Sequence, residues 1–304
     1  MALSKLSGDE QGVILGQLRN TLEPRLAMYF SSANKELRAL LTPAVQQQLR
    51  TDYEAATVLC LKVGLQSCKE LREAKAVELR DKGLSAADLT TLATLGSVLT
   101  ALEMLGLEDN AGSAGPDGVP RLAEGLVAGA LPAVTFLSIS SMHVGDAGAT
   151  ALAAALDRGA LPRLQNLGLG NAAIGDAALA ALAPALRRRP ALEKLLFGNP
   201  FGDEGLVAPP PPAGTPPPPA GGLKKLTELY LDDALITDAG CATLTAALGS
   251  GALPALEMLV LDGIPASDEA KAAVYEARAN LEGAEYDNEG EEEGANEADE
   301  DEGS

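Results

Sequence analysis

Tryptophan is absent from the 304 residues, and only four phenylalanines and five tyrosines accompany a hydrophobic content of 46%. A core of ordinary size must then be packed by Leu, Ala and Val. Such a core favours a regular, repetitive architecture in which small side chains let elements approach closely. Histidine occurs once, as His143, which excludes a two-histidine metal site and leaves any Ser-His-Asp chemistry dependent on one residue. No serine stands in a GxSxG elbow. The glycines of "LGLGNAAIGD", Gly168, Gly170 and Gly175, lack both the GxGxxG spacing and the GK[ST] ending of a phosphate loop. Asp232 and Asp233 are adjacent, so on a strand they point to opposite faces and form no carboxylate dyad. The expectation is a chain without catalytic residues, metal or cofactor.

Cysteine is scarce too. Cys60, Cys68 and Cys241 are odd in number and have no CxxC spacing, which reads as small buried thiols in a reducing compartment. The first residues, "MALSKLSGDEQGVILGQL", lack the cationic start and unbroken apolar stretch of a signal peptide, and no apolar run reaches membrane-spanning length. A cytosolic or nuclear protein without membrane association is expected. The net charge is −20, but twelve acidic residues and no basic ones follow Leu281, so the body carries about −8. A body of that sign is a poor nucleic-acid binder, because affinity there rests on Lys and Arg at the phosphates.

What the chain has in abundance is leucine in register. The pattern LxxLxLxxxxφ, with φ apolar, begins at Ala74, Leu102, Val134, Leu164, Leu192, Leu226 and Leu256, at intervals of 28 to 34 residues. Seven copies cover residues 74 to 281. Each has an alternating half, as in Leu164, Leu167 and Leu169 with Ile174 closing the turn, and a half such as "GDAALAALAPAL" with helical spacing. Asp146, Asp176 and Asp238 stand where each helix starts and are expected to cap its free N–H groups. One unit cannot bury its apolar face alone, so the units stack and the stack is the core.

These motifs resemble the leucine-rich repeat, and the long helical half is similar to the ribonuclease-inhibitor-like subclass. The resemblance implies an α/β solenoid, a right-handed β-α arc with a parallel sheet on its concave side. The family's asparagine at the ninth position is present as Asn110 but replaced by Met142, Ala172, Pro200 and Ala234, so an incomplete asparagine ladder and a looser turn are expected. His143 follows at the tenth position, as a surface residue.

Residues 1 to 73 read as a helical module. Ser7 and Glu10 have capping-box spacing, Thr42 and Pro43 open "AVQQQLRTDYEAATVLCLKVG", and Gly64 can end it. The segment is either a cap on the solenoid or a docking module. It resembles a degenerate F-box through Leu6, Val13, Ile14, Leu18, Ser32 and Leu37, with Leu6-Ser7 in place of Leu-Pro and Leu37 in place of the usual Trp. That resemblance implies a Skp-type ubiquitin-ligase adaptor as partner. In the fifth repeat, "APPPPAGTPPPPAGG" (208–222) falls where a helix belongs, and proline cannot occupy a helix interior. The helix is expected to be cut short, with a solvated or polyproline insertion bulging outward. Residues 282 to 304 have little to bury and repel themselves, which predicts a disordered acidic tail. It could lie against the basic run Arg187, Arg188 and Arg189.

The repeat offers a surface. The third, fifth and seventh positions of each unit point away from the core, toward the concave side. The third positions are Ala76, Met104, Phe136, Asn166, Lys194, Glu228 and Met258. The fifth are Glu78, Gly106, Ser138, Gly168, Leu196, Tyr230 and Val260, and the seventh Arg80, Glu108, Ser140, Gly170, Gly198, Asp232 and Asp262. Met104, Phe136, Leu196, Tyr230, Met258 and Val260 are expected to be exposed apolar groups rimmed by charge, the mark of a protein-binding face. The function expected is a non-catalytic protein-binding scaffold, most concretely a substrate-recognition adaptor. Two alternatives stay open. The chain is also similar to the Ran GTPase-activating protein in joining such repeats to an acidic tail, with Arg80 as the residue to examine. It is also similar to ribonuclease inhibitor, where Glu78, Glu108, Glu228, Asp232 and Asp262 would meet a basic partner.

Overall fold

The computed structural model describes residues 20–33, 38, 39, 41–109, 111–207 and 222–283. Three helices come first, α1 (Pro24–Ala33), α2 (Pro43–Lys62) and α3 (Cys68–Glu73). Seven strand-helix units follow: β1 (Ala76–Glu78), α4 (Ala86–Leu95), β2 (Met104–Gly106), α5 (Gly118–Gly125), β3 (Phe136–Ser138), α6 (Gly145–Asp157), β4 (Asn166–Gly168), α7 (Asp176–Arg187), β5 (Lys194–Leu196), α8 (Asp203–Leu206), β6 (Glu228–Tyr230), α9 (Asp238–Gly249), β7 (Met258–Val260) and α10 (Asp268–Glu276). The strands make one parallel sheet in the order β1 to β7. The chain folds as a leucine-rich-repeat solenoid.

Register explains the stack. Val77, Leu105, Leu137, Leu167, Leu195, Leu229 and Leu259 are paired in succession across the sheet, and all seven are buried. Their fellows on the strands and helices join them in one continuous core that runs from Leu22 to Leu281. No aromatic side chain is needed to fill most of it; Phe197 and Phe201 are the exceptions, buried with ring centroids 5.5 Å apart.

The turn after each strand is not looser, as the missing asparagines suggest, but is closed in two ways. In five repeats the residue at the eighth position, Asp81, Ser141, Asn171, Asp233 or Gly263, takes a left-handed φ between 51° and 67°. The N–H groups of Asp81, Ser141, Asn171 and Asp233 are donated to carbonyls of the next repeat, so backbone replaces the side-chain ladder. A left-handed non-glycine residue costs about 1 kcal/mol, which those bonds offset. In the other two repeats the eighth residue turns inward. Asn199 is buried, its Oδ1 accepts from the N–H groups of Ala172 and Ile174 at 2.8 and 3.3 Å, and its Nδ2 donates to the Leu169 carbonyl. Asp109 is buried likewise and accepts from the N–H groups of Ala111 and Ser113. The ladder rung expected at Pro200 is therefore Asn199. Asn110 lies outside the described residues, and Met142, Ala172 and Ala234 fill their places as buried apolar groups.

The aspartates at the helix starts do not cap their own helices. Asp176 is the first residue of α7, and its Oδ1 accepts from the N–H groups of Gly202 and Gly205 in the following repeat, at 2.7 and 2.8 Å. Asp146 accepts from Gly175, Asp203 from the N–H and Oγ1 of Thr237, and Asp238 from Ser267. A carboxylate at the start of one helix thus holds the N-terminal turn of the next, where free N–H groups converge. Capping inside a helix is done by Thr42, Ser67, Thr237 and Ser267, and by a capping box of Ser85 with Asp88.

The helical module is continuous with the solenoid. Leu59 and Cys60 of α2 and Cys68 and Leu71 of α3 belong to the same core as the repeats, and Lys62 pairs with Asp88 of α4 at 2.6 Å. Thr42 and Pro43 do open α2, and Gly64 follows it with φ of 88°. Ser7, Glu10, Leu6, Val13, Ile14, Leu18 and Leu37, the prolines of the insertion and the tail beyond Gly283 lie outside the described residues. The fifth convex helix is short, as expected: α8 has four residues where α6, α7 and α9 have 13, 12 and 12.

Candidate functional site

The open face of the sheet, opposite the helices, carries the third, fifth and seventh positions in three rows. Parallel register brings like positions of neighbouring repeats side by side, so a charge selects its partner one repeat away. At the start of the sheet Arg80 pairs with Glu108 at 2.5 Å, and Ser138 Oγ donates to Glu108 Oε1 at 3.2 Å. Toward the end, Lys194 Nζ lies 2.6 Å from Glu228 and donates to Tyr230 Oη at 3.4 Å, with the ring centroid 4.8 Å away. The Tyr230 hydroxyl donates to Glu228 Oε2 at 3.1 Å, with Met258 Sδ at 3.3 Å.

Charge follows from this geometry. Partial burial opposes the charge on Lys194, but Glu228 and Tyr230 outweigh it and hold the ammonium above its ordinary value. The bond from Lys194 holds Glu228 below the usual carboxylate range. Burial first, and then the hydrogen bond and charge of Glu228, push the Tyr230 hydroxyl up against the opposing effect of Lys194. Asp232 is raised by burial and by the nearby charges of Asp233 and Asp262. The Lys194 and Glu228 side chains remain about one-third exposed, so their pairing orders the surface more than it stabilises the fold.

Most of the expected site residues stand on this face, with two corrections. Met104 is 39% exposed, and Phe136, Asn166, Leu196, Tyr230 and Met258 are half-buried. Glu78, Arg80 and Asp262 are exposed. Val260, expected among the exposed apolar groups, is fully buried. Its register partner is Tyr230 on one side, and on the other the chain returns at Glu282 to bridge Met258, so β7 is not an open edge. Ser138 is buried as well, between Glu108, Ser140 and the closely packed backbone at Gly168. The middle of the face is a floor without bulk, since Gly168, Gly170 and Gly198 carry no side chain. Position 198 favours glycine, because a Cβ there would lie 2.9 Å from the Asp232 backbone carbonyl oxygen.

The acidic rim is partly neutralised from within. Glu108 and Glu228 are taken by Arg80 and Lys194, and Arg80, the residue singled out for a GTPase-regulating role, is in turn tied to Glu108. These pairs were readable as opposite charges at one repeat position in adjacent units. His143 is exposed, and all three cysteines are free and buried. Among the described residues no group of His, Cys, Asp and Glu is placed to hold a metal ion, and no helix is long and apolar enough to cross a membrane. Pattern reading missed a set of exposed apolar residues on the helical module, Leu26, Tyr29 and Phe30 of α1 and Val58 and Leu61 of α2; their period breaks away from the buried stripe of each helix.

No family model and no curated protein matches the chain. Several solved structures align with it in part. An internalin (inlC2) from Listeria monocytogenes aligns over 75% of this chain and 89% of its own, at 19% identity and a TM-score of 0.39. An internalin (inlF) from the same organism aligns over 70% of this chain at 16% identity and a TM-score of 0.35, and this chain spans 54% of its length. A Bacteroides fragilis protein aligns over 75% of this chain and 69% of its own, at 14% identity and a TM-score of 0.41. These are likenesses of architecture.

Proposed function

We propose that the chain is a non-catalytic protein-interaction scaffold whose partner lies across the open face of the sheet. The observation that carries this reading is the sorting of side chains on the strands. The register leucines all face the core, while Met104, Phe136, Tyr230 and Met258 face outward among paired and unpaired charges. Exposed Met and aromatic groups within a charged rim are the composition of binding hot spots. Arg80, Glu108, Lys194, Glu228 and Tyr230 are taken up in bonds to one another, and that arrangement suits recognition better than proton transfer. Replacing Met104 and Phe136 together by Ser is expected to weaken partner binding tenfold or more without loss of folding; unchanged affinity would contradict the reading.

The more specific form is a substrate-recognition adaptor, with residues 1 to 73 docking a Skp-type ligase component. What supports it is the exposure of Leu26, Tyr29 and Phe30 on α1, with Tyr29 at 69%, in the segment that resembles an F-box. Calorimetric titration of the full chain with such an adaptor is expected to give saturable binding that Tyr29→Ser with Phe30→Ser abolishes. Absence of binding by the unaltered chain would leave the helices the role of a cap.

A further inference from the structure

We infer that the fifth repeat forms a second binding surface, a slot on the helical side of the solenoid that takes an amphipathic α-helix of a partner protein. Because α8 ends at Leu206 while α6, α7 and α9 have 12 or 13 residues, a cavity of about 640 Å³ is left between α7 and α9. One wall is Leu179, Ala183 and Leu186 of α7, the other is Leu244 and Ala247 of α9, and Phe197 and Leu226 lie beneath. Residues 179, 183 and 186 recur at i, i+4 and i+7, the stripe that packs a helix against a helix. Elsewhere in the solenoid consecutive helices fill such stripes directly, α6 against α7 and α5 against α6. The slot therefore has the form of a helix. Eight of residues 208–221 are prolines, which lack the N–H that a helix interior needs, so this sequence is not that of the missing helix.

Charge says what kind of helix fits. Arg187 lines the slot where α7 ends, Gly222 packs against the Arg187 side chain, and Lys224 and Lys225 follow, both exposed. Arg188 is held by Asp157, and Arg189 donates to the Leu156 carbonyl. Arg187, Lys224 and Lys225 have no hydrogen bond or ion pair among the described residues. An apolar slot with a basic end whose cations have no partner among the described residues matches a helix with Leu and Ala on one face and acidic side chains at the end lying over Arg187. This surface is on the opposite side of the sheet from the open face and does not depend on the reading of that face.

The probe is a 14-residue peptide with Leu and Ala at i, i+3, i+4 and i+7, one Trp on that face and three Glu at its C-terminal end. The chain contains no Trp, so all Trp emission reports the peptide. With the full chain we expect a saturable blue shift and at least tenfold tighter binding than a scrambled peptide of the same composition. Ala183→Phe and, separately, Ala247→Phe fill the slot from partly exposed positions on opposite walls, and each should weaken binding tenfold or more. Ala181→Phe, exposed on α7 outside the slot, should not. Arg187→Glu with Lys224→Glu and Lys225→Glu should weaken binding and reduce its salt dependence. Equal binding of the scrambled peptide, or full binding by either Phe variant that melts like the parent, overturns the inference. So does peptide binding that requires residues 208–221 to be replaced by a Gly-Ser linker, or uptake of decanoate by a slot that refuses the peptide.

Discussion

Asp176 shows how much one side chain can do in this fold. Its carboxylate accepts from two backbone N–H groups of the next repeat, and removing it strands the Gly202 N–H and leaves Gly205 only its bond to the Gly202 carbonyl. Asp176→Ala is expected to cost about 1–3 kcal/mol, read as a lower midpoint in thermal or urea unfolding; an unchanged midpoint would show that water replaces the carboxylate at no cost. Asp203 acts in the same way on Thr237, whose hydroxyl and N–H hold its carboxyl below the usual range. A carboxyl held low contributes stability above its unfolded pKa, and that contribution is lost as pH falls through the folded value. The thiols behave oppositely. Burial, with the charge and hydrogen bond of Cys68 adding to it, pushes Cys60 up to about 12 from 9.0. The stability tied to its neutral form is present below pH 9 and declines as pH rises from 9 toward 12. At pH 8 the native chain should react slowly with a thiol reagent, whereas urea should release all three cysteines; fast stoichiometric reaction in the native state would contradict their burial.

At the scale of elements, each strand contributes one aliphatic side chain, Val77 from β1 and leucine from the other six, to the row that the sheet holds in register. Leu167 lies between Leu137 and Leu195 and is fully buried, so Leu167→Ala should destabilise by about 2–5 kcal/mol. A smaller loss, seen in urea unfolding, would mean that neighbouring repeats collapse into the gap. The alternation of strand and helix was legible in the sequence because each position recurs seven times, so a single ambiguous residue is outvoted by its fellows. The identity of the turn rungs was not. The inward rung stands at the eighth position in Asn199 and Asp109 alike, one residue before the position at which the family pattern places it. The aspartates were visible as helix-start residues, but not their partners, because a side chain at the first helical position faces the next repeat and spacing within one unit cannot show that. The same contacts between units pair Arg80 with Glu108 and Lys194 with Glu228 on the open face. The burial of Val260 depends on the returning chain at Glu282, which lies past the last repeat and outside its pattern.

For the whole molecule, the repeats separate two tasks. The buried leucines and the inter-repeat carboxylates hold neighbouring units together, and the outward positions are left to vary without cost to the stack. The open face and the slot at the fifth repeat are both products of that separation, one built by the regular pattern and the other by its interruption. The central claim is that the open face of the sheet is where a partner binds. Hydroxyl-radical footprinting of the full chain, alone and in complex with its captured partner, tests it most directly because Met104, Phe136, Tyr230 and Met258 are reactive side chains on that face. The account predicts that Met104 and Phe136 react in the free chain and that all four are protected in the complex, while Val207 and Leu235, exposed elsewhere, react equally in both. Unchanged reactivity of the four residues in a complex that forms stoichiometrically would contradict it.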